Sequence, residues 1–280
     1  ASNGQLTLTQ TLIGTALDIS GDIDVDGTSN LDIVDVDVSL DVNGTIKLDG
    51  NYPTGTNNVA LGNGALDSVE AGAEQNVAIG GAALSADTTG DYNTGIGFRS
   101  ICTNTTGSCN TAVGRQSLRN NTTASNNTAI GMNALILNTT GINNTALGSA
   151  ALDANTTGSN NVAVGFSSLS GNTTSCENVA VGHCSLLVNT TGDFNVAIGT
   201  LSLGANTTAN GNIAIGASAL VKNTTGADNI GIGLLAGRCN VTGASNTAVG
   251  SCALLKNTVS NNSAFGKNAL TCNTTGGNNS

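Results

Sequence analysis

The chain is 280 residues long with a formal net charge of −10, and it contains no Trp, two Tyr and four Phe. Side chains so small cannot fill an ordinary globular core, yet only 9% of residues are charged and β-branched residues are spread evenly, which argues against a disordered polymer. An acidic chain with no Lys/Arg cluster and few aromatics offers neither the phosphate neutralisation nor the stacking platform that nucleic-acid binding requires, and no run of about 18 apolar residues is present to span a membrane as a helix.

In chain order, the N-terminal segment comes first and holds the charge imbalance: residues 1–50 carry nine Asp and one Lys. Over residues 16–50 Asp alternates with Ile, Val and Leu at period two, the pattern of strands with one wet face. Turns are marked at Ser20-Gly21, Asp26-Gly27, Asn43-Gly44 and Asp49-Gly50. Residues 1–54 therefore read as an acidic β-rich stem whose short strands need partners, a need that a three-chain stem meets. The Asp rows lack the Gly-Gly-x-Gly-x-Asp spacing of calcium-binding β-rolls, so no metal and no other cofactor is expected. Pro53, in NYPTGTNN, marks the junction between the stem and the remainder of the chain. The chain begins at Ala1 with no signal-peptide pattern, as a processed or partial product would.

Residues 55–280 are a repeat array. The pentad Asn-x-Ala-aliphatic-Gly recurs with its glycine at 62, 80, 97, 114, 131, 148, 165, 182, 199, 216, 233, 250 and 266, a spacing of 17 ten times, 18 once and 16 once. With Asn144–Asn160 as the reference copy, NTALGSAALDANTTGSN, each position of the repeat defines a column. Column one is Asn in all thirteen copies, column three Ala or Gly, column four always large and apolar, column eight Ala or Ser, and column nine Leu or Ile except at Gly237, where LLAGRCN reads as a local slip. Column twelve is Asn in eleven successive copies, followed mostly by Thr-Thr-Gly. Asn279 and Ser280 read as the opening of another repeat, so the array is expected to continue.

Apolar runs of three or four residues bounded by Gly and Asn are strand-length and too short for helix, and Asn-Thr-Thr-Gly is turn chemistry. The expected fold is all-β, a parallel β-solenoid of about thirteen 17-residue coils with two short strands and two turns each. Like residues then stack on like, and the column-one asparagines Asn93, Asn110, Asn127, Asn144, Asn161, Asn178, Asn195, Asn212, Asn229 and Asn246 form a structural ladder, since an amide carries donors and an acceptor that repetition satisfies.

One coil contributes about two large apolar side chains, worth about 1.5–3 kcal/mol each on burial, against a backbone ordering cost of about 1–2 kcal/mol per residue. A lone solenoid with so thin a core is weak, and the columns restricted to Ala, Gly and Ser suit close approach of neighbouring backbones. A homotrimer, with the aliphatic columns sharing a core about a threefold axis, is the favoured assembly. The pentads NVAIG (76–80), NTAIG (127–131) and NVAVG (161–165) resemble the SVAIG-type repeats in the heads of trimeric autotransporter adhesins, and similar repeats occur in bacteriophage tail-fibre and related virion surface proteins. The resemblance covers about residues 57–280, with a longer repeat here. It implies a left-handed parallel β-roll of three chains; with no adhesin membrane anchor visible, it points towards a virion fibre.

Candidate chemistry is sparse. His183 falls in a variable column with no fixed acidic or nucleophilic partner. The seven cysteines (102, 109, 176, 184, 239, 252, 272) show no CxxC, and adjacent coils never place two in one column, so free thiols are expected. Ten column-twelve asparagines open an N-x-Thr sequon: Asn104, Asn121, Asn138, Asn155, Asn172, Asn189, Asn206, Asn223, Asn240 and Asn273. They would line one ridge with glycans in a secreted eukaryotic chain and stand as bare turn residues otherwise. No enzyme activity is expected. The leading functional reading is the shaft of a virion fibre, joined through its stem to other virion proteins and projecting a receptor-binding tip beyond Ser280. The alternatives are an extracellular, glycan-coated adhesin or filament, and an ice-binding solenoid.

Overall fold

The computed structural model describes residues 55–70 and 72–279; the stem read at 1–54, with its turns, Asp rows and junction, lies outside the described residues. Each pentad forms one three-residue strand, from β1 (Val59–Leu61) to β13 (Ser263–Phe265). The thirteen strands make a single parallel sheet in strict chain order. Pairing is like on like: Val162 faces Val179, Ala163 faces Ala180 and Val164 faces Val181. The long first repeat and the short twelfth are absorbed outside the sheet, because Val59 still pairs with Val77 and Thr247 with Ser263. This is a parallel β-solenoid, and its coils are numbered by the strand each contains. At about 4.8 Å per strand the stack extends for about 60 Å.

The sequence pattern predicts two strands per coil, but only one forms. Columns seven and nine both take positive φ, as at Ala150 (53°) and Leu152 (54°), and an extended run cannot survive two left-handed residues in three. The segment instead folds into two successive turns. In coil three, Ser100 N–H donates to Gly97 O at 3.2 Å and Asn104 N–H to Ile101 O at 3.3 Å. Coils still join there, since Leu152 N–H donates to Ser168 O at 3.0 Å.

Holding a leucine in the left-handed region costs about 1–2 kcal/mol. All twelve Leu or Ile residues of column nine do so, at φ between 47° and 54°. Burial of the side chain, worth about 1.5–3 kcal/mol, exceeds that cost, and Leu152 and its interior counterparts are fully buried. Gly237 keeps the column-nine register rather than slipping: its φ is 61° and its N–H donates to Ala253 O at 2.9 Å.

The interior has two halves. Small column-three and column-eight residues and the column-nine leucine pack on one side, and the asparagines of columns one and twelve fill the other, all essentially without solvent exposure. A cross-section this narrow admits the Ala of each Val-Ala-Ile strand and turns its larger neighbours outward. The large aliphatics of column four, counted from sequence among the coil's buried side chains, are instead surface residues in this chain, as Leu147 (44% exposed) and Phe265 (71%) show.

The column-five glycine has two separate needs. From Gly62 to Gly250 its φ lies between 126° and 140°, and a Cβ at Gly148 would meet the carbonyl oxygen of Gly165 at 2.4 Å. Gly148→Ala is expected to destabilise the array by about 3 kcal/mol or more, while the adjacent Ser149→Ala stays within about 0.5 kcal/mol of the parent. Denaturant titration followed by far-UV circular dichroism distinguishes the two.

Candidate functional site

The residues singled out from sequence gather into two features, a pair of amide ladders inside the coil and an apolar face outside it. In the first ladder, column-one Oδ1 accepts the backbone N–H of the next coil's asparagine: Asn144 N–H reaches Asn127 Oδ1 at 2.9 Å and Asn161 N–H reaches Asn144 Oδ1 at 3.0 Å. Its Nδ2 braces its own coil, with Asn144 donating to Gly158 O at 2.8 Å. The second ladder, in column twelve, links amide to amide. Asn155 Nδ2 donates to Asn138 Oδ1 at 2.8 Å and also to Gly158 O at 2.9 Å. Both asparagines of a coil thus converge on one carbonyl, an arrangement repeated at Gly107, Ala124, Gly141, Ser175, Gly192, Ala209 and Gly243.

From sequence the column-twelve asparagines read only as turn residues or glycan acceptors. Their unbroken run through eleven copies was the signal that they, too, stack. Nine of the ten sequon asparagines, Asn104 to Asn240, are at most 1% exposed. The Nδ2 of each bonds a carbonyl of its own turn and, in eight of the nine, the Oδ1 of the asparagine below; Asn104 reaches Asp87 instead. An N-glycan is built on that nitrogen and would displace the preceding coil. Asn273 is half-buried, with Nδ2 bonded to Asn257 Oδ1 at 3.0 Å and Gly276 O at 2.7 Å.

Column thirteen supplies a further axial link, in which Thr139 Oγ1 donates to Thr156 O at 2.9 Å. The neighbouring column-fourteen threonines, such as Thr157, point to solvent from the turn rather than from the sheet face.

The column-twelve ladder starts on an acid. From Asn104 to Asn240 each Nδ2 donates towards the N-terminus, and the row ends there on the fully buried Asp87, whose Oδ1 accepts from Asn104 Nδ2 at 2.7 Å. Its Oδ2 has no partner. Burial pushes the Asp87 carboxyl up from 3.8 to about 7, against the opposing bonds from Asn104 and Gly90 and with a smaller push from Asp91.

The seven cysteines are free. Burial raises the Cys102 thiol, with Arg119 and Arg99 acting against it. The His183 ring stacks on Phe166 with centroids 5.5 Å apart, and its Nε2 lies 3.8 Å from Cys184 Sγ. Among the described residues no three His, Cys, Asp or Glu side chains converge as metal ligands would.

Outside, the sheet presents columns two and four. Neither contains a charged residue in any of the thirteen strands. Column two is half-buried and alternates between blocks of Thr and blocks of Val or Ile before ending on Ser263; column four is Ile, Leu or Val until Phe265, with Leu61, Ile96, Ile130, Leu147, Ile198, Ile215 and Ile232 exposed. The result is a continuous apolar rail, about 60 Å by about 10 Å, or roughly 600 Å².

Both the acid at the foot of the ladder and the buried sequons can be tested. Because the fold favours protonated Asp87, its contribution is fully present below about pH 4, is lost as pH rises towards 7, and is constant above. Asp87→Asn extends the ladder and removes the charge, so it should stabilise by about 1–3 kcal/mol at pH 8 and by much less at pH 4. Melting curves of parent and variant across that range test the sign. Chain produced in an N-glycosylating host should carry no sugar at Asn104 to Asn240 when folded, as intact mass and peptide mapping of the protease-resistant fraction will show.

No protein-family profile matches the chain, and comparison with curated proteins finds no match.

Proposed function

We propose that this protein is the shaft of a homotrimeric fibre, a structural element that holds a receptor-binding tip away from the particle or surface that carries it. The apolar rail is the observation that carries the reading. Soluble single chains rarely leave a contiguous apolar strip of this size open to water, and here it runs the length of the array without one interrupting charge. Two further copies of the same chain are the occupants that match it best, because an identical repeat supplies an identical apolar row at the same axial spacing, and closure about a threefold axis buries all three rows at once.

Several features support a spacer over a catalyst. Most polar groups of the interior are committed to their own or a neighbouring coil, and the cysteines do not gather with other side chains as metal ligands would among the described residues. The likeness of the pentads to trimeric adhesin heads and phage tail-fibre repeats favours three chains and, with it, attachment to a host surface. In this reading the chain belongs to a virion, its stem engages other virion proteins, and the receptor is met by sequence beyond the array.

Light scattering of the purified protein should give the mass of three chains, and negative-stain images a slender rod. Ile198→Glu combined with Ile215→Glu places charge on the rail without touching the interior, so it should yield monomers that keep the parent's β circular dichroism. A parent protein that is monomeric at micromolar concentration, or a charged variant that stays trimeric, would sink the proposal.

A further inference from the structure

The stack is not uniform, and its irregularities fall in one place. Coil eleven has glycine at two of the three interior apolar columns, Gly231 and Gly237, where most coils set Ala and Leu, and keeps only Ala236 in column eight. Leu220 of coil ten leans into the space, so that a Cβ at Gly237 would meet its Cδ2 at 2.6 Å and one at Gly231 its Cγ at 2.8 Å. The apolar core divides on the N-terminal side of coil eleven, one cluster ending with Leu220 of coil ten and the next running from Ala236 into coil twelve.

The turn edge loses part of its axial bonding at the next step, although Cys239 N–H still donates to Leu255 O at 3.0 Å and Ala244 N–H to Ser260 Oγ at 2.9 Å. Asn257 Nδ2 turns to Val259 O at 2.6 Å instead of reaching down, which leaves Asn240 Oδ1 buried and without a partner. Val241 replaces the column-thirteen threonine, so the hydroxyl row that arrives through Thr224 Oγ1 to Val241 O at 3.0 Å is interrupted until Thr258 Oγ1 to Thr274 O at 2.8 Å. The N–H of Val241 also lacks the axial bond that Thr224 N–H makes to Val241 O at 2.8 Å. The missing residue of the shortened twelfth repeat explains the shift of Asn257 and Val259.

The sheet edge stays intact at the same level. Here β11 (Ile230–Ile232) pairs with β12 (Thr247–Val249), and Asn246 N–H reaches Asn229 Oδ1 at 3.0 Å. We infer that coil eleven is a built-in hinge, with its apolar packing broken towards coil ten, and that it opens on the turn edge it shares with coil twelve while the strands beneath act as the pivot. The apolar rail lies on the pivot side, so opening flexes the stack without exposing or separating the sheet. The inference concerns the single chain and stands whether or not three chains assemble.

Hydrogen exchange of the full chain, read by mass spectrometry, tests it directly. Turn-edge amides of residues 237–245 and 252–257 should exchange at least about tenfold faster than their counterparts at 135–143 and 150–155, while those of the pivot strand β12 should not. Gly237→Leu with Val241→Thr restores the missing leucine and hydroxyl and should close most of that gap. Should the repaired chain fail to fold, the reciprocal pair Leu152→Gly with Thr156→Val must create a new fast-exchanging zone at coils six and seven. Equal protection of the two segments in the parent, a repaired chain with its gap unchanged, or a reciprocal pair without a new fast zone would each overturn the hinge.

Discussion

Axial repetition of buried amides is the constraint on which the other features depend. From coil three to coil twelve, each coil places two asparagines where water cannot reach, and a buried amide left without partners costs about 1–3 kcal/mol. Their donors and acceptors are met by the equivalent atoms of the coils above and below and by one carbonyl of their own turn, as in Asn144, Asn155 and Gly158 O. A slip of one residue would orphan both amides and drive a column-five glycine's carbonyl into a side chain. Register is therefore specified by polar groups, in contrast to most sheets, where a buried apolar face does it.

That choice determines where the apolar residues go. An interior half filled with amides leaves room for one leucine and two small residues per coil, and the left-handed backbone of columns seven and nine bends the chain tightly enough to enclose them. The remaining aliphatics have no interior to enter. They emerge on the outer face of the sheet, and the closer the interior packing, the more apolar surface the chain must offer to something else. The apolar rail is thus a consequence of how the coil closes, set by the same columns that fix the coil.

The repeat, the strand within each pentad, the parallel in-register stacking and the column-one ladder were legible in the sequence because each is a statement about spacing. Orientation was harder. In Val-Ala-Val the alternation is perfect but its phase is ambiguous over three residues, and hydrophobicity alone assigns the valines to the core. The restriction of column three to Ala or Gly was the better guide, since only a site pressed against other backbone excludes larger residues. The expected second strand fails for a related reason: Leu is a poor sign of positive φ, and its left-handed conformation in column nine is imposed by neighbouring coils rather than by its own preference. Gly237, which has the look of a slip in the sequence, is the one residue of that column that suits the conformation intrinsically, and it lacks the side chain that makes the conformation worthwhile.

The ladders also have a direction. In both asparagine columns the N–H groups point towards the N-terminus and the Oδ1 acceptors towards the C-terminus, so a folded coil presents a prepared row of acceptors to the next coil in the chain. The column-twelve row begins in coil two, where Asp87 meets the Asn104 donor with an acceptor that has no donor of its own when ionised. Burial opposes its ionisation while the terminal N–H of Asn104 favours it, which is why this single site titrates near neutrality. Contacts reach only one coil along the chain, so each coil adds a similar increment once the preceding one is formed. A stack of this kind is limited by its weakest junction rather than by its average, and the coil that has glycine where the others have leucine sets that limit.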